Sequence, residues 1–151
     1  MIKPTDIPSL NASLASLMVA KAVNAGCEIG VRVSVAVVDA GGHLVAFQRA
    51  DGASWASIEI AQDKAYTAVG FGRSTCELGE FISKAPFIVG ETLLLRPRTL
   101  ILGGGVPLKH GETTIGGIGV SGAPTSDIDI LCANAALEAT GFCPEASPAT
   151  T

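Results

Sequence analysis

Apolar and polar positions repeat with two different periods along the first third of the chain. Apolar residues recur at helical spacing over residues 9–28, which predicts an amphipathic helix. The period shortens to two over residues 31–38, where valines alternate with other side chains and predict a strand. Turn residues 39–42 and the apolar segment 43–49 complete a predicted β-hairpin.

Helical patterns follow this hairpin. An Ala-rich segment that begins at residue 54 or 57 and ends near 69 predicts a second helix, with Lys64 off its apolar face. That predicted face consists of Ile58, Ala61, Ala65 and Val69. A capping box that begins at Ser74 predicts a third helix, which Pro86 ends. Residues 87–96 fit an irregular loop and a helical turn equally well.

Glycine dominates the second half of the chain, where eight of the 18 glycines lie between Gly103 and Gly122. Residues 100–102 predict a buried strand before the triple glycine, while 106–109 and 112–121 predict a second hairpin. Because glycine lacks a side chain, the run indicates close approach of a helix, a second backbone or a ligand. We interpret the triple glycine as a strand break, and residues 116–122 as the part that admits a ligand.

A last helix begins at a predicted capping box, Ser126 to Asp129, and ends at Gly141. Its predicted apolar stripe comprises Ile128, Leu131, Cys132, Ala135, Ala136 and Ala139. The tail 143–151 is expected to be mobile. These elements predict a single α+β domain over residues 1–151, with an ordered core at about 9–141 and about five largely antiparallel strands carrying helices.

Composition narrows the class of protein. Hydrophobic residues make up 48% of the chain and charged residues 16%, an excess that indicates a subunit interface or a large apolar pocket. The net charge of −4, without a basic stripe, argues against nucleic-acid binding. No apolar run or leader pattern indicates a membrane, so we expect a cytoplasmic protein. The four cysteines form no Cys-x-x-Cys pair and are expected to be reduced and buried.

Four phrases occur in order along the chain: VAVVDAGGHLVAF at 35–47, IAQDKAYT at 60–67, GGGVP at 103–107, and GIGVSG at 117–122 followed by Asp127. Together they resemble the GlcG/HbpS family, which is similar to the C-terminal domain of PduO proteins. The resemblance implies a profilin-like fold, homo-oligomers and, in some members, haem binding. It therefore predicts a protein that binds haem or a related tetrapyrrole. The alternative is a cofactor-independent enzyme acting on a 2-hydroxy acid or an aldehyde.

The loop 120–126 leads directly into the last helix, so its N–H groups and the helix dipole are suited to a carboxylate or a haem propionate. Gly119, Ser121 and Gly122 are the predicted ligand contacts there. The competing interpretation is a plain strand-to-helix connection in which the glycines only permit tight packing.

Thr75 and Arg73 form a second candidate site. The segment around Thr75 is similar to a family segment thought to approach haem iron, which implies Thr75 as an iron ligand; the alternative is that it merely starts a helix. Arg73 is suited to pairing with a carboxylate, and an exposed arginine without such a role is the alternative.

Lys64, His110 and Glu112 are the candidate catalytic residues. A lysine among apolar neighbours can have a lowered pKa suited to a Schiff base or a carboxylate contact; the alternatives are an ion pair with Glu59 or Asp63 and a snorkelling surface residue. His110 is a candidate general base or axial ligand beside Glu112, and a solvated turn is the alternative. The other histidine, His43, allows the same roles but fits a structural position better.

Overall fold

The computed structural model of the protein describes residues 1–145. Four strands and five helices lie within this range. The helices are α1 (Ala12–Glu28), α2 (Ala56–Phe71), α3 (Thr75–Lys84), α4 (Phe87–Leu94) and α5 (Ser126–Ala139). The strands are β1 (Ser34–Asp39), β2 (Leu44–Arg49), β3 (Gly105–His110) and β4 (Thr113–Ser121).

The four strands form one antiparallel sheet in the order β2-β1-β4-β3, which confirms the predicted α+β class. The predicted fifth strand at residues 100–102 is wrong. Side-chain hydroxyls, and not a neighbouring strand, form hydrogen bonds with the backbone of this segment. The Leu100 N–H donates to the Thr67 hydroxyl at 3.0 Å, and the Leu102 carbonyl accepts from the Thr75 hydroxyl at 2.7 Å. The segment therefore crosses over α2 and α3 to reach β3.

Alternation along the strands gives the sheet two different faces. Val35 and Val37 join the main core cluster with residues of α1 and α5, as do Ile118 and Val120 of β4. The opposite face carries small residues, such as Ala36, which packs with residues of α2. One face therefore holds a broad apolar core, and the other allows a helix to lie close to the strands.

Glycines on the second face explain that close approach. A Cβ at Gly119 would collide with the Ala61 carbonyl oxygen of α2, and one at Gly117 would lie 2.6 Å from Val69 Cγ2. Gly105 of β3 meets the Lys64 carbonyl in the same way. Of the three explanations for the glycine run, helix packing accounts for these positions, since the backbone of α2 occupies the space that side chains would fill.

Helix boundaries follow local capping. The structure confirms the capping box at Ser74 and resolves the ambiguous segment 87–96 into α4. The predicted capping box of α5 is wrong: Thr125 is the N-cap without a side-chain bond, and the Asp129 carboxylate bonds elsewhere. The predicted stripe of α5 is also rotated, because Leu131 is exposed while Leu137 is buried.

The cysteines and the tail differ in part from expectation. No described cysteine is in a disulfide, and Cys132 is buried, but Cys27 and Cys143 are exposed. The tail is anchored at its start, because the Asn134 side chain exchanges two hydrogen bonds with the backbone of Glu145, at 2.8 and 2.9 Å. The rest of the predicted mobile tail, residues 146–151, lies outside the described residues.

We expect Gly119→Ala to lower the free energy of unfolding by about 3 kcal/mol or more, because the new methyl group would force α2 away from β4. Gly70→Ala is the matched control, since no atom lies within 4 Å of a Cβ at that helical position. The control should gain about 0.5–1 kcal/mol from reduced backbone entropy. Urea unfolding of both variants measures the difference, and equal stabilities would contradict the packing explanation.

Candidate functional site

A cavity of about 280 Å³ lies where the end of β4 meets the starts of α2 and α5. Polar groups from three parts of the chain line it, namely Ser57, Lys64, Ser121, Ser126 and Asp129. Ile60, Leu102 and Pro124 are among its apolar lining residues. We call this space the α5 cavity. It combines a mostly apolar wall with a few convergent polar groups, as small-molecule sites do.

A buried ion pair forms the polar wall of the α5 cavity. Lys64 and Asp129 are only 1% and 4% exposed, and Lys64 Nζ lies 2.8 Å from Asp129 Oδ2. Lys64 Nζ also donates to the Val120 carbonyl at 2.9 Å, and Asp129 Oδ1 accepts from the Ala123 N–H at 3.1 Å. The pair therefore ties α2, the end of β4 and α5 together.

Burial shifts both partners toward their neutral forms: it lowers the pKa of Lys64 and raises the pKa of Asp129. Each partner's opposite charge opposes the other's shift. We assign the ionised state to the pair, because the Val120 carbonyl favours the ammonium and the Ala123 N–H favours the carboxylate.

The ammonium group retains binding capacity. Lys64 carries three N–H donors, and two of them reach Val120 and Asp129. Within residues 1–145 the third has no protein acceptor, and Lys64 lines the cavity. A carboxylate or carbonyl oxygen that reached Nζ from the cavity would accept from this donor in a low-dielectric environment, where a hydrogen bond is stronger than in water.

The first turn of α5 forms the wall of the cavity at Thr125 and Ser126. A helix N-terminus carries partial positive charge and free N–H groups, which favour an anion. The exposed Asp127 in the same turn weakens this attraction. The cavity is therefore suited to a singly charged carboxylate better than to a multiply charged phosphate.

The structure brings three predicted ligand contacts together, since Lys64, Ser121 and Gly122 all line the α5 cavity. Placing Lys64 off the apolar face of α2 was wrong, because the side chain is fully buried. An ion pair with Asp63 is also wrong, since Asp63 pairs with Arg98 at 2.8 Å. Gly119 lies outside the cavity lining and faces the backbone of α2.

Thr75 and Arg73 occupy different surroundings. The Thr75 hydroxyl is completely buried, donates to the Leu102 carbonyl at 2.7 Å and accepts from the Gly105 N–H at 3.0 Å. It thus fastens one wall of the α5 cavity, and contact with a haem iron would require residues 102–105 to move. Arg73 is exposed, with its guanidinium 5.2 Å from the centre of the Phe81 ring.

The residues predicted for acid–base chemistry, His110 and Glu112, lie far from Lys64. His110 and Glu112 are exposed at the turn between β3 and β4, at the opposite end of β4 from Ser121. Eight residue steps along a strand separate the two ends by about 26 Å. His43 lies in the other hairpin, with Nδ1 3.3 Å from Asp39 Oδ1. None of these groups is close enough to assist Lys64 directly.

Sequence reasoning missed Asp129 as the partner of Lys64, because its position three residues after Ser126 also fits a helix cap. It also missed the buried hydroxyl pair of Ser34 and Ser57, whose oxygens lie 2.7 Å apart. Across the part of the chain that the structure describes, no three His, Cys, Asp or Glu side chains cluster as a metal site. In the same range no helix is both long and apolar enough to cross a membrane.

We expect Lys64→Met to lower the free energy of unfolding by about 3–5 kcal/mol, because it leaves the Asp129 carboxylate buried without a counter-charge. The double variant Lys64→Met with Asp129→Leu should recover most of that loss, since it buries neither charge. Urea unfolding tests both. If the single variant cost less than about 1 kcal/mol, the pair would behave as a solvated surface bridge instead.

Comparison with known proteins identifies relatives over most of the chain. A family model described as "Haem degrading protein HbpS-like" matches residues 10–138. An uncharacterised 15.0 kDa protein of Citrobacter freundii is 37% identical, covering 91% of this chain and 96% of the relative. Protein GlcG of Escherichia coli is 34% identical, covering 74% of this chain and 81% of GlcG.

Solved structures share the fold. A double mutant of Streptomyces reticuli HbpS superimposes with a TM-score of 0.83 at 36% identity, covering 90% of each chain. A complex of PduOC with haem superimposes with a TM-score of 0.81 at 29% identity, covering 91% of this chain and 99% of that one. These matches confirm the resemblance deduced from the four sequence phrases: the chain belongs to the HbpS-like family.

Proposed function

We propose that this protein binds haem or a related tetrapyrrole and does so as a homo-oligomer. The observation that carries the proposal is the haem complex of PduOC, which shares the fold of this chain over 91% of its length. The description of the matching family, which names haem degradation, supports the same ligand.

The α5 cavity fits one part of such a ligand. At about 280 Å³ it lies just below the usual range for drug-sized ligands, so it accommodates a propionate arm and not the whole macrocycle. Lys64 and the first turn of α5 would hold the carboxylate. The macrocycle would then lie outside the cavity, where Leu102 is 54% exposed. Bound haem would supply an iron centre for redox and ligand-exchange chemistry.

The iron of a bound haem would need its own ligand. Among the described residues, no histidine or cysteine lines the α5 cavity. Thr75 is the proposed ligand, and its hydroxyl becomes available only if the Leu102 carbonyl is displaced. Arg73, exposed just before α3, is the proposed partner of a second carboxylate. A propionate held by Lys64 therefore represents the firmer contact.

Titration with haemin, followed at the Soret band, tests this assignment. We expect saturable binding that weakens about tenfold or more in the double variant Lys64→Met with Asp129→Leu, because the buried donor is lost without leaving an unpaired charge. Lys109→Met is the matched control, since Lys109 is exposed near the far end of the sheet. Absence of saturable binding would refute the tetrapyrrole proposal, and equal binding by all three proteins would refute the role of Lys64.

Self-association is supported by α4. Gly90 is its only buried residue, whereas Phe87 and Ile88 are 77% and 68% exposed. Leu94, Leu95 and the neighbouring Phe81 of α3 are exposed as well. Because α4 leaves most of its apolar surface exposed to water, packing against another surface would lower its free energy through the hydrophobic effect. A second copy presents the same apolar face and satisfies it symmetrically.

We expect the double variant Phe87→Glu with Ile88→Glu to shift the protein to its monomer mass of 15.3 kDa, because two charges would be buried at the interface. Light scattering coupled to size exclusion measures the mass. Leu17→Glu is the control, as Leu17 is an exposed leucine on α1. A monomeric wild-type protein, or an unchanged oligomer in the double variant, would contradict this interface.

A second candidate function is carbonyl chemistry at Lys64, a buried lysine on the cavity wall whose pKa burial lowers. The ammonium would first have to pass a proton to Asp129, 2.8 Å away, because only the neutral amine attacks a carbonyl. His110 and Glu112 lie too far away to take part, so the alternative depends on Lys64 alone. Borohydride reduction in the presence of glyoxylate, with peptide mass mapping, separates the two functions. A reduced adduct on Lys64 would support the enzyme, and an unmodified Lys64 would remove its main support.

A further inference from the structure

A second and larger cleft lies toward the C-terminal end of α2. It has a volume of about 400 Å³ and opens between the β1–β2 turn, the C-terminal half of α2 and the segment 96–99. None of the residues discussed as haem or catalytic contacts lines it. We call it the hairpin cleft.

One wall of the hairpin cleft is fixed by Arg98. This residue has φ +64°, a conformation that is unfavourable for a side chain other than glycine, and it is the one such residue in the range 1–145. Its guanidinium stacks 4.0 Å from the centre of the Tyr66 ring and bonds to Asp63 at 2.8 Å. The Thr67 hydroxyl donates to the Arg98 carbonyl at 2.8 Å. These contacts hold the segment 96–99 against α2.

The opposite wall is fixed by the β1–β2 turn. Asp39 accepts hydrogen bonds from the N–H groups of Gly41 and His43, both at 2.9 Å. A Cβ at Gly42 would lie 3.0 Å from Tyr66 Cδ2, so the turn packs directly on that ring. Both walls are therefore set before any ligand arrives, which lowers the entropic cost of binding.

The lining specifies the chemistry of a ligand. Arg96 lines the cleft, is exposed, and has no carboxylate within ion-pair distance in the described chain. Tyr66 and Phe71 line the cleft and are each 37% exposed as residues, and the Arg98 guanidinium and Gly42 cover part of the Tyr66 ring. A guanidinium binds a carboxylate in bidentate fashion, and the rings favour a planar group. The last turn of α2 adds partial negative charge, which opposes any anion and opposes a multiply charged phosphate more than a monocarboxylate.

We propose that the hairpin cleft binds a small planar aromatic monocarboxylate, with Arg96 on the carboxylate and the ring against Phe71 and the uncovered edge of Tyr66. This site is separate from the α5 cavity, and the proposal does not depend on haem binding.

Benzoate is the probe, and amide NMR shifts of Gly41, Gly42 and Gly70 report on the cleft. We expect saturable shifts of these three amides on the wild-type protein, and about tenfold or more weaker binding by Arg96→Gln. Arg49→Gln, which changes an exposed arginine on β2, should bind like the wild type. Cyclohexanecarboxylate keeps the charge but lacks a planar ring, and benzyl alcohol keeps the ring but lacks the charge. We expect both to bind more weakly than benzoate.

Three results would overturn the proposal. The first is no saturable shift with benzoate up to about 10 mM, the range of very weak ligands. The second is equal binding by the wild type and Arg96→Gln, with both spectra showing a folded protein. The third is a shift at Gly122 in place of the cleft glycines, which would assign benzoate to the α5 cavity.

Discussion

The packing of α2 on the sheet determines where every functional group lies. Gly117 and Gly119 leave the backbone of β4 uncovered, so α2 lies against the strand itself. At that short distance the Lys64 side chain reaches the Val120 carbonyl and Asp129 of α5. The α5 cavity and the hairpin cleft then flank the same helix, one at its start and one at its end. A wider separation of α2 and β4 would move apart the residues that line the α5 cavity and the hairpin cleft.

The Lys64–Asp129 pair positions groups at the α5 cavity and adds little to the free energy of unfolding compared with an apolar pair. Burying two charges costs free energy that their attraction repays only when the geometry is good. Here Lys64 also donates to the Val120 carbonyl, and Asp129 also accepts from the Ala123 N–H. One N–H of Lys64 is left for a ligand. An apolar pair in the same place would hold the helices together without offering that donor. This difference supports a binding role for the pair.

Periodic patterns were sufficient to predict most of the fold. Four of the five described helices, the two hairpins and the capping box at Ser74 follow from local spacing, which acts within a few residues, whereas α4 fell in a segment whose pattern was ambiguous. The false strand at 100–102 arose because an apolar run does not reveal whether a neighbouring strand or side-chain hydroxyls satisfy its backbone. Asp129 was misread for a related reason: its bond to Lys64 joins residues 65 positions apart, and local patterns carry no information on such pairs. The ligand itself rests on the family resemblance.

In the proposed complex, the third N–H of Lys64 donates to a tetrapyrrole carboxylate in the α5 cavity. The most direct test is the NMR signal of the Lys64 ammonium, assigned by its loss in the double variant Lys64→Met with Asp129→Leu, recorded with and without zinc protoporphyrin. We expect a signal that is protected from solvent and that shifts saturably as the porphyrin binds. A porphyrin that binds without moving this signal would contradict the role of Lys64.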